Sequence, residues 1–381
     1  MTDIFFPRLP IWKGVHEEPT IQDFYPIQIG QNDRGYFQQI IDHSLKKNII
    51  QAYRLDSYQF ISTPPGCSTY GDHRGKKALE YLLKGEVFFN GSSILDIGAG
   101  TDYIAHKLTE RFQVSDYIIV DPAIQTLYPS PQYKILKKYF SPMLFPEKIF
   151  DIIICMNCIE HVEDPFQLLM DMKKILREEY GVIFIVLPNI EKQFRMGDLN
   201  SILHEHISYF TQNSFCDLIS LCGLELLACS NQNGTLFCIL RNIKDEYREY
   251  NMNPKDNGSV KENFDKSIQY FKKLVERLCE KNSTIAFHGA CNGLNNLLSL
   301  TGIPLEKLFQ SERCAIYDGD ENKTGRFFPI YPAKIRHSTE SAYSNFDHVI
   351  VSAMTFYNEI KRFLIQKHRF HDHCIHPAFP I

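Results

Sequence analysis

No stretch of this sequence stays apolar for anything near the roughly 20 residues that a membrane-spanning helix needs. The N-terminus has no basic segment followed by an apolar core, so no secretory leader is expected. Excess charge is absent too. The net charge is −4 with no basic tail or stripe, which argues against nucleic acid as a partner. The eleven cysteines show no paired framework, which points to reduced thiols and a cytoplasmic location. Cys155 and Cys158 have metal-like spacing, but no second pair follows and they close an apolar run, so they read as core thiols. The histidines crowded near the end (His368, His371, His373, His376) suit a closing strand with one wet face. No metal is expected.

What is present is an ordinary globular composition. With 381 residues, of which 44% are apolar, the chain can build two or three packed domains. The most informative stretch is Ile94-Leu95-Asp96-Ile97-Gly98-Ala99-Gly100. Ser93 to Ile97 reads as a buried parallel strand. Gly98 and Gly100 form a turn that lets backbone approach a ligand. Asp102 to Phe112 continues as a helix, and Tyr117 to Val120 is the next strand, closed by Asp121. An acid at that place can hold a ribose diol. A dinucleotide fingerprint wants a third glycine, and here Tyr103 and the charged Asp102 stand instead. A carboxylate there repels a diphosphate but tolerates an aminoacyl cation, and Asp96 can accept from its ammonium. The pattern resembles the first motif of class I S-adenosylmethionine methyltransferases.

Strands and helices then alternate. Phe150–Met156 and Gly181–Leu187 read as strands, with a helix over Pro165–Arg177 capped by Asp164. Asn213–Cys222 reads as a helix, and Leu224–Cys229 with Thr235–Arg241 as a closing strand pair. Asn242–Gly258 is polar and reads as a linker; Lys261–Lys281 is a long amphipathic helix. A second α/β unit starts with the strand Thr284–Phe287 and His288-Gly289-Ala290-Cys291-Asn292-Gly293. Its later strands are Cys314–Tyr317, ending at Asp318, and His348–Ala353. The expected fold is α/β, with two Rossmann-like domains and an irregular N-terminal extension. The expected boundaries are an extension over 1–78 that can act as a substrate lid, a cofactor domain over 79–243, a linker and helix over 244–282, and a C-terminal domain over 283–381.

Several segments together resemble the bacterial sugar C-methyltransferases, which methylate a carbon of nucleotide-linked keto-sugars. They are Asn157, His161 and Asp164 in Asn-Cys-Ile-Glu-His-Val-Glu-Asp, the run His204-Glu205-His206-Ile207-Ser208-Tyr209-Phe210, and in the C-terminal unit Gly289-Ala290, Gly293, Asp318, Lys323-x-Gly325, Phe356 and Glu359-Ile360. The resemblance covers the chain from about Tyr53 onward. It implies S-adenosylmethionine as cofactor and a sugar-nucleotide acceptor; a monomer is expected. There are departures. The family's opening zinc module of four cysteines has no counterpart before Cys67. Leu203 stands where a tyrosine commonly precedes the His-Glu-His run. Lys138, Tyr139, Phe140 and Ser141 occupy the region of the acid that often reads adenine.

Carbon is a poor nucleophile and must first lose a proton next to a carbonyl. The site therefore needs a base titrating near neutral pH and donors for the enolate oxygen. Histidine suits the base role. His206 is expected to be the base, with Glu205 orienting it and Tyr209 donating to the enolate; His161 is the rival or helper. Adjacent residues on a strand point apart, so Glu205 and His206 must lie in a turn to share a cavity. Asp96, Gly98, Gly100, Asp121 and Asn157 are expected to hold the cofactor, and His204, Tyr70 and Lys323 the acceptor. Two other readings stay open: methylation of oxygen or nitrogen on another small molecule, and a binding protein without chemistry.

Overall fold

The computed structural model describes residues 4–20, 22–41, 43–52, 64–85, 87, 90–147, 149–243, 260–331 and 333–380. The linker expected over 242–258 lies almost wholly outside them. Where expected strands and helices fall on described residues, they are present within a few residues of the expected ends. Among the described residues no helix is long and apolar enough to cross a membrane.

The largest sheet has seven strands. Their order in space is Leu224–Gln232, Thr235–Asn242, Val182–Pro188, Ile152–Met156, Ser93–Ile97, Asp116–Val120 and Lys134–Leu136. Thr235–Asn242 runs antiparallel to both its neighbours, and every other pairing in the sheet is parallel. Ile-rich central strands make this possible, because a parallel sheet is buried on both faces; Ile94, Ile152, Ile153 and Ile154 are all fully buried. The chain order reverses between Ser93–Ile97 and Ile152–Met156, and a ligand crevice opens beyond the C-terminal ends of such strands. The helix after Asp164 is capped as expected: its carboxylate accepts from Gln167 N at 3.1 Å, and Pro165 fills the first turn.

A second sheet of five parallel strands has the order Ile335–His337, Cys314–Asp318, Ile285–His288, His348–Val351, Ile375–Pro377. Its own reversal lies between Ile285–His288 and His348–Val351, next to Gly289. The fold is therefore α/β with two Rossmann-like sheets, as expected.

The first residues differ from expectation. They are not irregular: Ile4–Pro10, Phe24–Gln31 and Phe37–Gln39 form an antiparallel sheet, and its fourth strand is the distant Ser208–Tyr209. Short strands punctuated by prolines hide this in the sequence, because their partner is not a sequence neighbour. Phe6, Trp12 and Ile27 share one apolar core with Phe264 and Phe271 of the helix Val260–Glu280 and with Phe287 and Phe328 of the second unit. The N-terminal strands thus sit on the C-terminal unit.

Candidate functional site

The glycine turn follows the strand Ser93–Ile97. Gly98 and Gly100 have φ of 66° and 70°, a region costly for other residues. A Cβ on Gly98 would come within 2.5 Å of Cys158 Sγ. Asp121 closes the neighbouring strand and grips the turn: its carboxylate accepts from Gly100 N at 2.8 Å and from Ala123 N at 2.6 Å. Asp96 is buried and accepts from Tyr117 Oη at 3.0 Å. Burial, aided by the charge of Asp121, pushes its carboxyl up to about 7 although the tyrosine bond opposes this. Asn157 adopts φ 49° at the end of the adjacent strand. Asp96, Gly98, Gly100, Asp121 and Asn157 all line one cavity of about 900 Å³. Asp102 does not. Its carboxylate is fully buried and accepts from Leu127 N, Tyr128 N and Tyr133 Oη, so it braces the loop after Asp121 and repels no ligand. Its charge therefore gives no reason to exclude a diphosphate from the turn.

The opposite wall of the cavity comes from two turns held together. The 3₁₀ turn Ile159–His161 follows the strand ending at Met156. Residues 204–205 form a tight turn, as shared access to one cavity requires. Ile207 N donates to Glu160 O and Ile207 O accepts from Gln39 N, both at 2.8 Å, so the N-terminal sheet holds this turn against the other. His161 and His206 meet edge to face, with ring centroids 4.9 Å apart. His161 Nδ1 lies 2.9 Å from the Glu205 carbonyl oxygen. Only a protonated Nδ1 can donate there, which leaves Nε2 as the free position. That Nε2 is 3.9 Å from Glu160 Oε1. Glu160 is buried and its Oε2 has no hydrogen-bond partner among the described residues. Burial raises Glu160 and Glu205 while His161 opposes both. Burial in the cavity wall, then the charges of His161 and Arg74, hold His206 well below the usual imidazole range.

Three expected roles do not fit. Tyr209 is buried, its Oη donates to Leu203 O at 3.0 Å, and it does not line the cavity. It cannot reach an enolate there; it props the turn. His204 points away, with Nε2 3.2 Å from Tyr25 O, and burial lowers it to about 4. Glu205 makes no hydrogen bond to His206 among the described residues; what it orients, through its main chain, is His161.

The remaining walls bring in both ends of the chain. Tyr70 stands on the helix Thr69–Lys84 and Phe356 in the 3₁₀ turn Met354–Phe356 of the second unit; their rings meet at 89° with centroids 5.8 Å apart. Lys323 lines the cavity, donating to Asp318 Oδ2 at 3.1 Å and to Ala290 O at 3.2 Å. Burial works against both charges, but each partner outweighs it: Asp318 stays low and Lys323 high. Sequence reasoning missed Glu160, although it lies inside the quoted motif, and Arg74, one helical turn after Tyr70. Glu160, His161 and His206 place one ligand atom each within 4.8 Å, enough to hold a metal ion in principle.

The methyltransferase-domain family matches residues 70–228. A C-methyltransferase of Streptomyces niveus, NovU, is 28% identical over 71 residues, a stretch that spans 19% of this chain and 17% of that protein. Among solved structures, the N-methyltransferase NodS from Bradyrhizobium japonicum, with S-adenosyl-l-homocysteine, has a TM-score of 0.37 and 14% identity over 52% of this chain and 98% of its own. The 1,6-didemethyltoxoflavin-N1-methyltransferase of Burkholderia thailandensis has a TM-score of 0.39 and 14% identity over 57% and 95%. The match to the methyltransferase-domain family falls on the sheet whose glycine turn and closing acid suit an aminoacyl nucleoside.

Proposed function

We propose that this chain is an S-adenosylmethionine-dependent methyltransferase that acts on a carbon beside a carbonyl, on a nucleotide-linked keto-sugar. The observation that carries the reading is the pair His161 and His206 on the wall of the cavity that the cofactor turn also lines. Transfer to oxygen or nitrogen of an already nucleophilic acceptor has less need of two oriented imidazoles. The short likeness to a C-methyltransferase points the same way.

Asp121 is assigned to the cofactor's ribose diol and Asp96 to its ammonium, with Gly98, Gly100 and Asn157 shaping the approach. The cofactor supplies an electrophilic methyl on a sulfonium that departs as a neutral thioether, so no acid is needed at the leaving atom. His206 takes the proton from the acceptor carbon. Burial keeps it neutral at ordinary pH, so its ring is open to accept, but also makes it a weaker base than one titrating near neutral pH. His161, with its tautomer set by the Glu205 carbonyl, presents Nε2 beside it and is the alternative base. The second unit, over about 283–381, contributes to the acceptor site through Lys323 and Phe356, with Tyr70 facing them across the mouth. A cavity of about 900 Å³ is at the upper end for a single ligand and leaves room for a second beside the cofactor.

The test is exchange of solvent deuterium into the carbon next to the carbonyl, in the presence of S-adenosylhomocysteine, over a panel of nucleoside-diphosphate keto-hexoses. The wild-type protein is expected to exchange one of them. His206→Ala should lose exchange by roughly 10²–10⁴-fold while binding S-adenosylhomocysteine normally. Loss with His161→Ala instead would move the base to that ring. A wild-type protein that methylates an acceptor without any exchange would sink the carbon reading.

A further inference from the structure

With Tyr209 turned away, the acceptor oxygen needs another donor. Two permanent cations line the cavity among its described residues, Arg74 and Lys323. Lys323 is spent on Asp318 and Ala290. Arg74 is not spent: no carboxylate pairs with it among the described residues, and its Nε is buried with no hydrogen-bond partner. A buried guanidinium N–H without an acceptor is costly and rare in a finished structure, unless a ligand completes it.

The local chain explains how Arg74 comes to sit there. The helix Thr69–Lys84 starts from Ser68, whose side chain accepts from Gly71 N. A Cβ on Gly75 would lie 2.7 Å from Pro65 Cβ and 3.0 Å from Tyr103 Cε1, so only glycine lets this turn seat so low. Arg74, the residue before, is thereby lowered into the cavity wall. Tyr70, four residues earlier and on the same face, steadies it: the guanidinium carbon is 5.4 Å from the ring centroid. The charge of Arg74 is felt at both His206 and Glu160, the groups at the reacting end.

We infer that Arg74 is the cation that holds the acceptor's carbonyl oxygen and the enolate formed from it. The inference rests on the carbon-methylation reading. In the step concerned the C–H bond breaks and its proton passes to a histidine. The electron pair left behind forms the C=C bond, and the carbonyl π pair moves onto oxygen. The guanidinium N–H groups donate to that oxygen more strongly as its charge grows, which is what accelerates a reaction rather than merely binding the reactant. Returning the proton reverses each move, so no co-reactant is required.

The experiment compares wild type, Arg74→Ala and Arg74→Lys in the exchange assay above, with binding of S-adenosylhomocysteine and melting temperature as controls. Arg74→Ala is expected to keep both controls and to slow exchange by roughly 10²–10³-fold, the usual range for losing one such donor, with a far smaller change in acceptor KM. Arg74→Lys should fall between. Added methylguanidinium should restore part of the rate to Arg74→Ala, which a purely structural role would not allow. If Arg74→Ala does not fold, the lysine variant carries the comparison, and a wild-type rate there overturns the inference. An unchanged rate in a folded Arg74→Ala overturns it too. So does a rise in KM without loss of exchange rate, which would make Arg74 a binding group only. Exchange that a chelator abolishes and a divalent ion restores would place a metal on Glu160, His161 and His206 in its stead. If the wild-type protein exchanges no keto-hexose at all, the carbon reading falls and takes Arg74's role with it. If it does exchange, any failure belongs to Arg74 alone.

Discussion

Asp96 carries its proton up to about pH 7, and that has two opposite consequences. Its raised value means the folded protein binds this proton more tightly than the unfolded chain, whose aspartates titrate near 3.9. Stability contributed here is full below about pH 4 and is lost as pH rises to about 7. On the proposed assignment of Asp96 to the cofactor's ammonium, cofactor affinity runs the other way. An ammonium needs the ionised carboxylate, so below about pH 7 binding must first expel a proton. S-adenosylhomocysteine should bind about tenfold more weakly for each pH unit below that point and level off above it. Calorimetry from pH 5.5 to 8.5 checks this; Asp96→Asn should be weaker and flat. At Asp121 the sequence was legible in full, since the strand end and its spacing from Gly100 follow from the apolar pattern. At Tyr209 it was not. A tyrosine beside a catalytic run reads as a donor, whereas its Oη is bound to Leu203 O. Tyr209→Phe should therefore cost about 1–2 kcal/mol of stability, from a carbonyl left unpaired, and leave turnover nearly intact. Thermal melts and steady-state rates of that variant decide the matter.

Among elements, the strand Ser208–Tyr209 is the least visible in the sequence. It is two residues long, and its pairing partner lies at Phe37–Gln39. Periodicity cannot show a pairing so distant, and for that reason the first residues read as irregular. The histidines themselves were legible, because their types match the chemistry, but which atoms they turn to one another depends on that pairing. Gln39 N donates to Ile207 O, and Ile207 N to Glu160 O. Gln39→Pro removes the first bond and its donor at once. It should loosen the turn at 204–206 and reduce deuterium exchange by tenfold or more, while S-adenosylhomocysteine, bound on the other sheet, keeps its affinity. Equal loss of both would mean that the N-terminal sheet supports the whole cofactor domain rather than one wall.

At the scale of the molecule, the two Rossmann-like sheets open their crevices onto one cavity. Each sheet was legible from its own strands and glycine turn; that they share a cavity was not, since nothing in a sequence tells how two separate cores dock. Phe356 tests the sharing with little risk to folding, because it is exposed. Phe356→Ala should raise acceptor KM several-fold and leave cofactor binding unchanged in titrations. Lys323→Met is a harsher probe. It leaves the part-buried Asp318 carboxylate with only the Ala290 and Asp320 N–H groups and should cost about 1–3 kcal/mol, much of it recovered in the double variant with Asp318→Asn. The shared core of residues 4–37 with 264–379 has a further result, felt while the protein is being made. A ribosome adding roughly 5–20 residues per second releases the first strands tens of seconds before their partners exist. During that wait Phe6, Trp12 and Ile27 have nothing to bury against. The newborn chain should depend on a holdase chaperone at its N-terminal end, and slower synthesis without one should lower the yield of folded protein.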